Sequence, residues 1–168
     1  AFWSEEDDYG QIEAMLRESL AIFEEEGDQW GVGQCLYGLA YDPLASREVM
    51  LATLQQCLAV RLEAGDTWGV AMCHFALGEM EHMAGALAQA QQHYGRCLEI
   101  RRQIGDRMGI GTVLDYMGYV AREMGHYSEA RRLHEESLVN AREIGDRLGI
   151  GGSLDNLGLV ARDEGRYE

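Results

Sequence analysis

The densest set of potential metal ligands in this chain of 168 residues is Cys73-His74, Glu79 and His82, with Met83 beside them. Glu79 and His82 are three residues apart, so on a helix they share a face, as ligands of one metal do. His82 has no second histidine at ligand spacing, however, and Cys73 falls among core positions, so no metal is expected. The segment GDRMGIGT, from Gly105 to Thr112, has the glycine content of a phosphate loop. It lacks the GxxxxGK[ST] spacing and no strand precedes it; helix packing explains its glycines. Asp115 and Asp155 form a carboxylate pair of the kind used in acid–base chemistry, but the sequence places no nucleophile or base beside them. His93, His126 and His134 are scattered and unpaired, and read as surface or boundary residues. Neither catalysis nor a cofactor is expected.

The four cysteines are Cys35, Cys57, Cys73 and Cys97. They read as buried free thiols that pack as small hydrophobes, in a chain from a reducing compartment.

What positions all of these residues is a repeat. Laid over each other without a gap, Gly105–Tyr127 and Gly145–Tyr167 agree at 14 of 23 positions. Gly-Asp pairs at Asp28, Asp66, Asp106 and Asp146 mark steps of 38, 40 and 40 residues. Within a unit, Ile110, Leu114, Met117, Ala121 and Met124 step by 4, 3, 4 and 3, the stripe of an amphipathic helix. Gly125 ends that helix. A second follows from about Tyr127 to Ile144, with Ala130, Leu133, Ser137, Leu138, Ala141 and Ile144 on its packing side. Each Gly-Asp reads as a stop and a start, the glycine turning the chain and the aspartate capping the next helix. Links this short make neighbouring helices antiparallel. One pair has too little apolar surface to fold alone, so pairs must stack. Gly78, Gly118 and Gly158 share a column with Ala40, and Gly31, Gly69, Gly109 and Gly149 share another. Helix-interior glycine costs about 1 kcal/mol against alanine, and close helix–helix approach is the expected return in both columns.

The cysteines fall in register too. Cys35 and Cys73 occupy one column, Cys57 and Cys97 another, so disulfides within a column are not expected.

In order, residues 1–8 align with the tail of a first helix and Tyr9–Glu26 with a second, making 1–27 a partial repeat. Repeats span 28–65, 66–105 and 106–145, and 146–168 is again partial, all within a single array. Pro43 is expected to stop a helix near Tyr41, and Ser46 to cap the next. Arg131–Glu135 and Arg132–Glu136 are expected as i,i+4 ion pairs on an exposed face.

These residues resemble the tetratricopeptide repeat. Its pattern of Leu-Gly, Gly, aromatic, Ala and a small residue is matched by Met117-Gly118, Gly125, Tyr127, Ala130 and Ser137. It is matched again by Leu77-Gly78, Gly85, Leu87, Ala90 and Cys97, and by Leu157-Gly158, Gly165 and Tyr167. Units of about 40 residues, against the family's usual 34, look like those of Pins-type adaptors, kinesin light chains and the sensor arrays of large bacterial regulators; the phrase GDRxGI with LGxVARxxGxY is most similar to the last. The resemblance implies an all-α, right-handed superhelical solenoid of antiparallel helix pairs. It also implies a concave groove lined by the first helices: Gln34, Tyr37 and Tyr41; Met72, Phe75, Glu79 and His82; Thr112, Asp115, Tyr119 and Arg122; Asp155, Leu159 and Arg162. The family's clamp for acidic C-terminal peptides uses Lys and Asn in these columns, and Asp115 and Asp155 stand here instead.

Net charge is −15, with 14 basic residues, all arginine, against 29 acids. A phosphate backbone needs a basic face and an anionic membrane surface needs the same, so neither is an expected partner. No apolar run reaches membrane-spanning length, and the acidic N-terminus is unlike a signal peptide; a cytoplasmic chain is expected. The function expected is a protein–protein interaction scaffold, a fragment of a longer array, gripping a neutral to basic peptide or protein segment. Tyr119→Ala or Asp115→Arg is expected to weaken capture of that partner without unfolding the array. The alternatives are a ligand- or self-sensing regulatory segment of a larger bacterial signalling protein, or self-association into homo-oligomers through exposed array ends.

Overall fold

The computed structural model describes residues 5–165. Among them are eight helices: α1 (Glu5–Glu26), α2 (Gln29–Leu39), α3 (Arg47–Glu63), α4 (Thr67–Met83), α5 (Leu87–Ile104), α6 (Arg107–Glu123), α7 (Tyr127–Ile144) and α8 (Arg147–Asp163). The described residues contain no strand, so the fold is all-α, built from helices packed in successive pairs. They fall into two compact units, the first ending at Met80 and the second starting at Glu81, inside α4.

The turns follow the chemistry of Gly-Asp. Gly27, Gly65, Gly105 and Gly145 all sit at φ near +70°, left-handed backbone that a side chain would strain. The aspartate after each caps the next helix. Asp28 accepts from the Trp30 and Gly31 amides, Asp66 from Gly69, Asp106 from Gly109 and Asp146 from Leu148. Gly85, Gly125 and Gly165 turn the chain within pairs, also at positive φ.

The first copy departs from the expected pattern. Asp7 stands where Gly125 stands later, so nothing turns the chain ahead of Tyr9, and α1 runs unbroken from Glu5 instead of separating a helix tail from a second helix. Residues 1–4 of that expected tail, and Tyr167 of the last repeat, lie outside the described residues. α2 is short. It closes at Ala40, ahead of Pro43, and Ser46 caps α3 by accepting from the Val49 amide.

In the first unit, Val32, Leu36, Cys57 and Cys73 pack with Leu20 and Phe23, and Ala40, Leu54, Ala76 and Leu77 pack with Leu51 and Met80. In the second, the buried residues include Tyr94 and Leu98 of α5, Val113, Leu114 and Val120 of α6, Leu133 and Leu138 of α7, and Val160 of α8. Burying each such side chain is worth about 1.5–3 kcal/mol. Ile144 and Met124, expected on the packing faces, are each 38% exposed. Both stand beside the turning glycine, where the chain is already leaving its neighbour.

The glycine columns make room for side chains, not only for backbones. A Cβ on Gly69 would lie 1.9 Å from Arg61 Nη1 and 2.1 Å from Asp66 Oδ2; one on Gly109 would lie 1.7 Å from Arg101 Nη1. Gly31 and Gly149 face the same register positions, occupied there by Phe23 and Ala141. In the other column, a Cβ on Gly118 would stand 2.5 Å from the His134 ring, whereas one on Gly158 would meet nothing within 4 Å. The same substitution should therefore change sign along one column. Gly118→Ala is expected to cost about 2 kcal/mol by overpacking. Gly158→Ala in the 168-residue chain is expected to gain up to about 1 kcal/mol from helix propensity. Urea titration of both variants checks this, and shifts of the same sign would refute it.

Candidate functional site

In the first unit, α2 presents Gln34, Tyr37 and, just past its end, Tyr41, at spacings that keep them on one side of a helix. The tyrosine rings lie 5.2 Å apart and their hydroxyls 3.3 Å apart. Tyr41 Oη donates to Glu79 Oε2 of α4 at 3.1 Å. Burial, then the hydrogen bond with Tyr37, holds the Tyr41 phenol well above its usual range, and burial raises Tyr37 likewise. Both hydroxyls therefore stay protonated, which Tyr41 needs in order to donate to a carboxylate. Met72 and Phe75 are half-buried on α4.

Behind this cluster stands Arg61 of α3, 2% exposed. Its guanidinium donates to Asp66 at 2.7 Å, to the Gly33 carbonyl at 3.2 Å and to the Gln34 side-chain oxygen, and lies 5.7 Å from the centre of the Tyr37 ring. Four of the residues expected in the groove, Gln34, Tyr37, Tyr41 and Glu79, are thus one bonded group organised by a buried arginine. Arg61 has a signal in the sequence. Arg101 stands one repeat later beside the same Gly-Asp pair, and it too is buried and pairs with its aspartate, Asp106, at 3.2 Å.

In the second unit the expected residues divide. His82 Nε2 lies 3.1 Å from Glu123, and Arg122 pairs with Asp163 at 3.3 Å. Each basic residue meets an acid 41 positions on, in the next first helix. Arg162 also reaches Asp163, at 3.4 Å. The His82–Glu123 and Arg122–Asp163 contacts lace consecutive repeats to one another. Thr112 donates to the Met108 carbonyl, Asp155 is exposed and Leu159 is half-buried.

Asp115 turns inward, its side chain 19% exposed. His134 Nδ1 lies 2.9 Å from Asp115 Oδ1. Ser137 Oγ donates to Oδ2 at 3.0 Å, and Ser153 Oγ reaches both carboxylate oxygens at 3.4 Å. His134 is fully buried, with Tyr119 edge-on to its ring at 5.6 Å. Two expectations fail here. His134 is neither a surface residue nor unpaired, and Asp115 does have hydroxyls and an imidazole beside it. The order of the bonds is still unlike a nucleophilic triad, in which the imidazole stands between hydroxyl and carboxylate. Here the carboxylate is at the centre and both serines bond to it. The Nε2 atom that would activate a hydroxyl has no partner and lies against Gly118. Asp115 is therefore also unsuited to a test of binding by charge reversal, because an arginine there would break a buried network.

Arg132 pairs with Glu136 as expected, at 3.3 Å, and also with Glu129 at 2.7 Å. Arg131 reaches Glu164 at the end of α8 instead of Glu135. Its near neighbour is set by the packed helix beside it, which its own helix does not reveal. All four cysteines are free and buried. No helix among the described residues is long and apolar enough to cross a membrane.

No family model matches the chain, and no curated protein matches it. Among solved structures, the crystal structure of BtubC (BKLC) from P. vanneervenii is similar, with a TM-score of 0.87 and 19% identity over 97% of this chain and 69% of that one. That likeness is one of fold: the chain has a helical, repeat-like architecture.

Proposed function

We propose that this chain is a tetratricopeptide-type array that acts by binding and not by catalysis, holding a neutral to basic peptide or protein segment against the faces of its first helices. The observation that carries the reading is the Tyr37–Tyr41–Glu79 cluster. Two neighbouring phenols and a carboxylate converge from helices one repeat apart, and Tyr41 stays 41% exposed. Aromatic side chains fixed from behind lose little freedom on binding and make good anchors. The carboxylate, within a chain of net charge −15, favours a cationic partner. Four free, buried thiols fit a reducing compartment such as the cytoplasm.

Selection from a display library of short random peptides tests this. Bound sequences should be rich in Arg or Lys, and Tyr41→Ala and Glu79→Gln should each weaken the best of them about tenfold, or about 1.4 kcal/mol, with the helical circular-dichroism signal at the binding temperature unchanged. Peptides held equally well by both variants would overturn the reading.

A further inference from the structure

We propose that Cys57 and Cys73 form a redox-active dithiol that closes to a disulfide between α3 and α4 when the chain meets a small peroxide. The two sulfurs lie 3.3 Å apart in the core of the first unit, on elements that the repeat brings together from different columns. A disulfide needs them to approach by about 1.3 Å more. Arg61 Nε donates to Cys57 Sγ at 3.3 Å, so a fixed cation stands beside one of the two.

The other thiols show that this arrangement is particular. Cys97 occupies the column of Cys57 and has Arg101 beside it, but the register position of Cys73 is Val113 there, and burial raises the Cys97 thiol. Burial raises Cys35 as well. Cys57 alone is lowered, to about 7, first by the hydrogen bond from Cys73 and then by Arg61. Cys73, the donor in that bond, is raised by it and by burial. The Cys57 thiol has the Gly33 carbonyl as its own acceptor at 3.2 Å, and the bond from Cys73 with the Arg61 guanidinium beside it favours ionisation at Cys57 over Cys73, the polarity that exchange and oxidation need.

With hydrogen peroxide the step balances. The Cys57 thiolate attacks one peroxide oxygen, the O–O bond breaks and hydroxide leaves, giving a sulfenic acid. That hydroxide takes the Cys73 proton. The new thiolate attacks Cys57 sulfur, the S–O bond breaks and a second hydroxide leaves, taking up the proton that Cys57 released when it ionised. Two thiols and one peroxide give a disulfide and two waters; the sulfurs lose two electrons and the peroxide oxygens gain them. Both sulfurs are fully buried, so a small oxidant that enters by local opening is the fitting one. Arg61 also holds Gln34 and Tyr37. Its loss of a thiolate partner on oxidation therefore reaches the proposed binding face. That consequence rests on the binding reading; the thiol chemistry does not.

The test uses the whole folded chain with hydrogen peroxide, followed by denaturation, alkylation of remaining thiols and peptide mapping. Two of the four thiols should disappear, the Cys57 and Cys73 peptides should be joined, and dithiothreitol should restore both. Cys57→Ser should keep all three remaining thiols, and Cys97→Ala should react at the unchanged rate. The rate should rise with pH as the thiolate forms. Four intact thiols after peroxide, or a bond that involves Cys35 or Cys97, would overturn the proposal, whether or not any peptide binds.

Discussion

Asp115→Ala is expected to lower the unfolding free energy of the chain by about 3 kcal/mol or more. Asp115 accepts from His134, Ser137 and Ser153, which come from two further helices, α7 and α8. A carboxylate only accepts, so Nδ1 of His134 carries the hydrogen of this bond, and Nε2 is left facing Gly118. Removing the carboxylate leaves the Nδ1–H of a fully buried ring without an acceptor, at about 1–3 kcal/mol, and deletes two hydroxyl bonds to a charged group. The Ser137 hydroxyl can turn to the Gly111 carbonyl at 3.1 Å and that of Ser153 to Ser137 Oγ at 3.1 Å, which limits the loss. Asp115→Asn separates bonding from charge. Its amide oxygen can accept from His134, so it should cost about 1 kcal/mol. Urea titrations of the two variants decide the matter. A cost below 1 kcal/mol for alanine would show that the network contributes little, and equal costs for both variants would show that charge matters and not the hydrogen bonds.

Arg61→Met is expected to cost about 3–5 kcal/mol, the range for removing one member of a buried ion pair. Methionine keeps much of the volume of the stem, so the loss reports the guanidinium. The guanidinium serves Asp66, the Gly33 carbonyl, Gln34 and Cys57 Sγ together, and no lysine could reach all of them with one ammonium. A double-mutant cycle adds a sharper check. Gly69→Ala puts a methyl group where Arg61 Nη1 and Asp66 Oδ2 lie. Once Arg61 is methionine much of that clash is gone, so the two substitutions should be non-additive by more than 1 kcal/mol. Additive costs would mean that Gly69 is required for its backbone and not for the arginine.

The Gly-Asp period was enough to place the turns, the caps and the all-α class, because a left-handed glycine and an aspartate cap are local chemistry that needs no distant partner. The absent glycine ahead of Tyr9 was equally legible, and explains why α1 does not break. The columns of Gln34, Tyr37, Tyr41 and Glu79 could be named only through the resemblance to the tetratricopeptide repeat. What each side chain bonds to could not, because that depends on rotamers and on neighbours about 40 positions away. His134 looked solitary in the sequence and is fully buried; Asp115 looked open and is turned inward. Arg61 and Arg101 stood in a core column that periodicity marks as apolar, and only the packed helices show the hollow over Gly69 and Gly109 that admits a guanidinium. Cys57 and Cys73 sat in separate columns, and packing α3 against α4 made them neighbours. Helix identity and order are written along the chain, since their causes lie within a few residues of their effects. Which charges and thiols meet is decided between helices, where a contact exists only once the repeats have stacked.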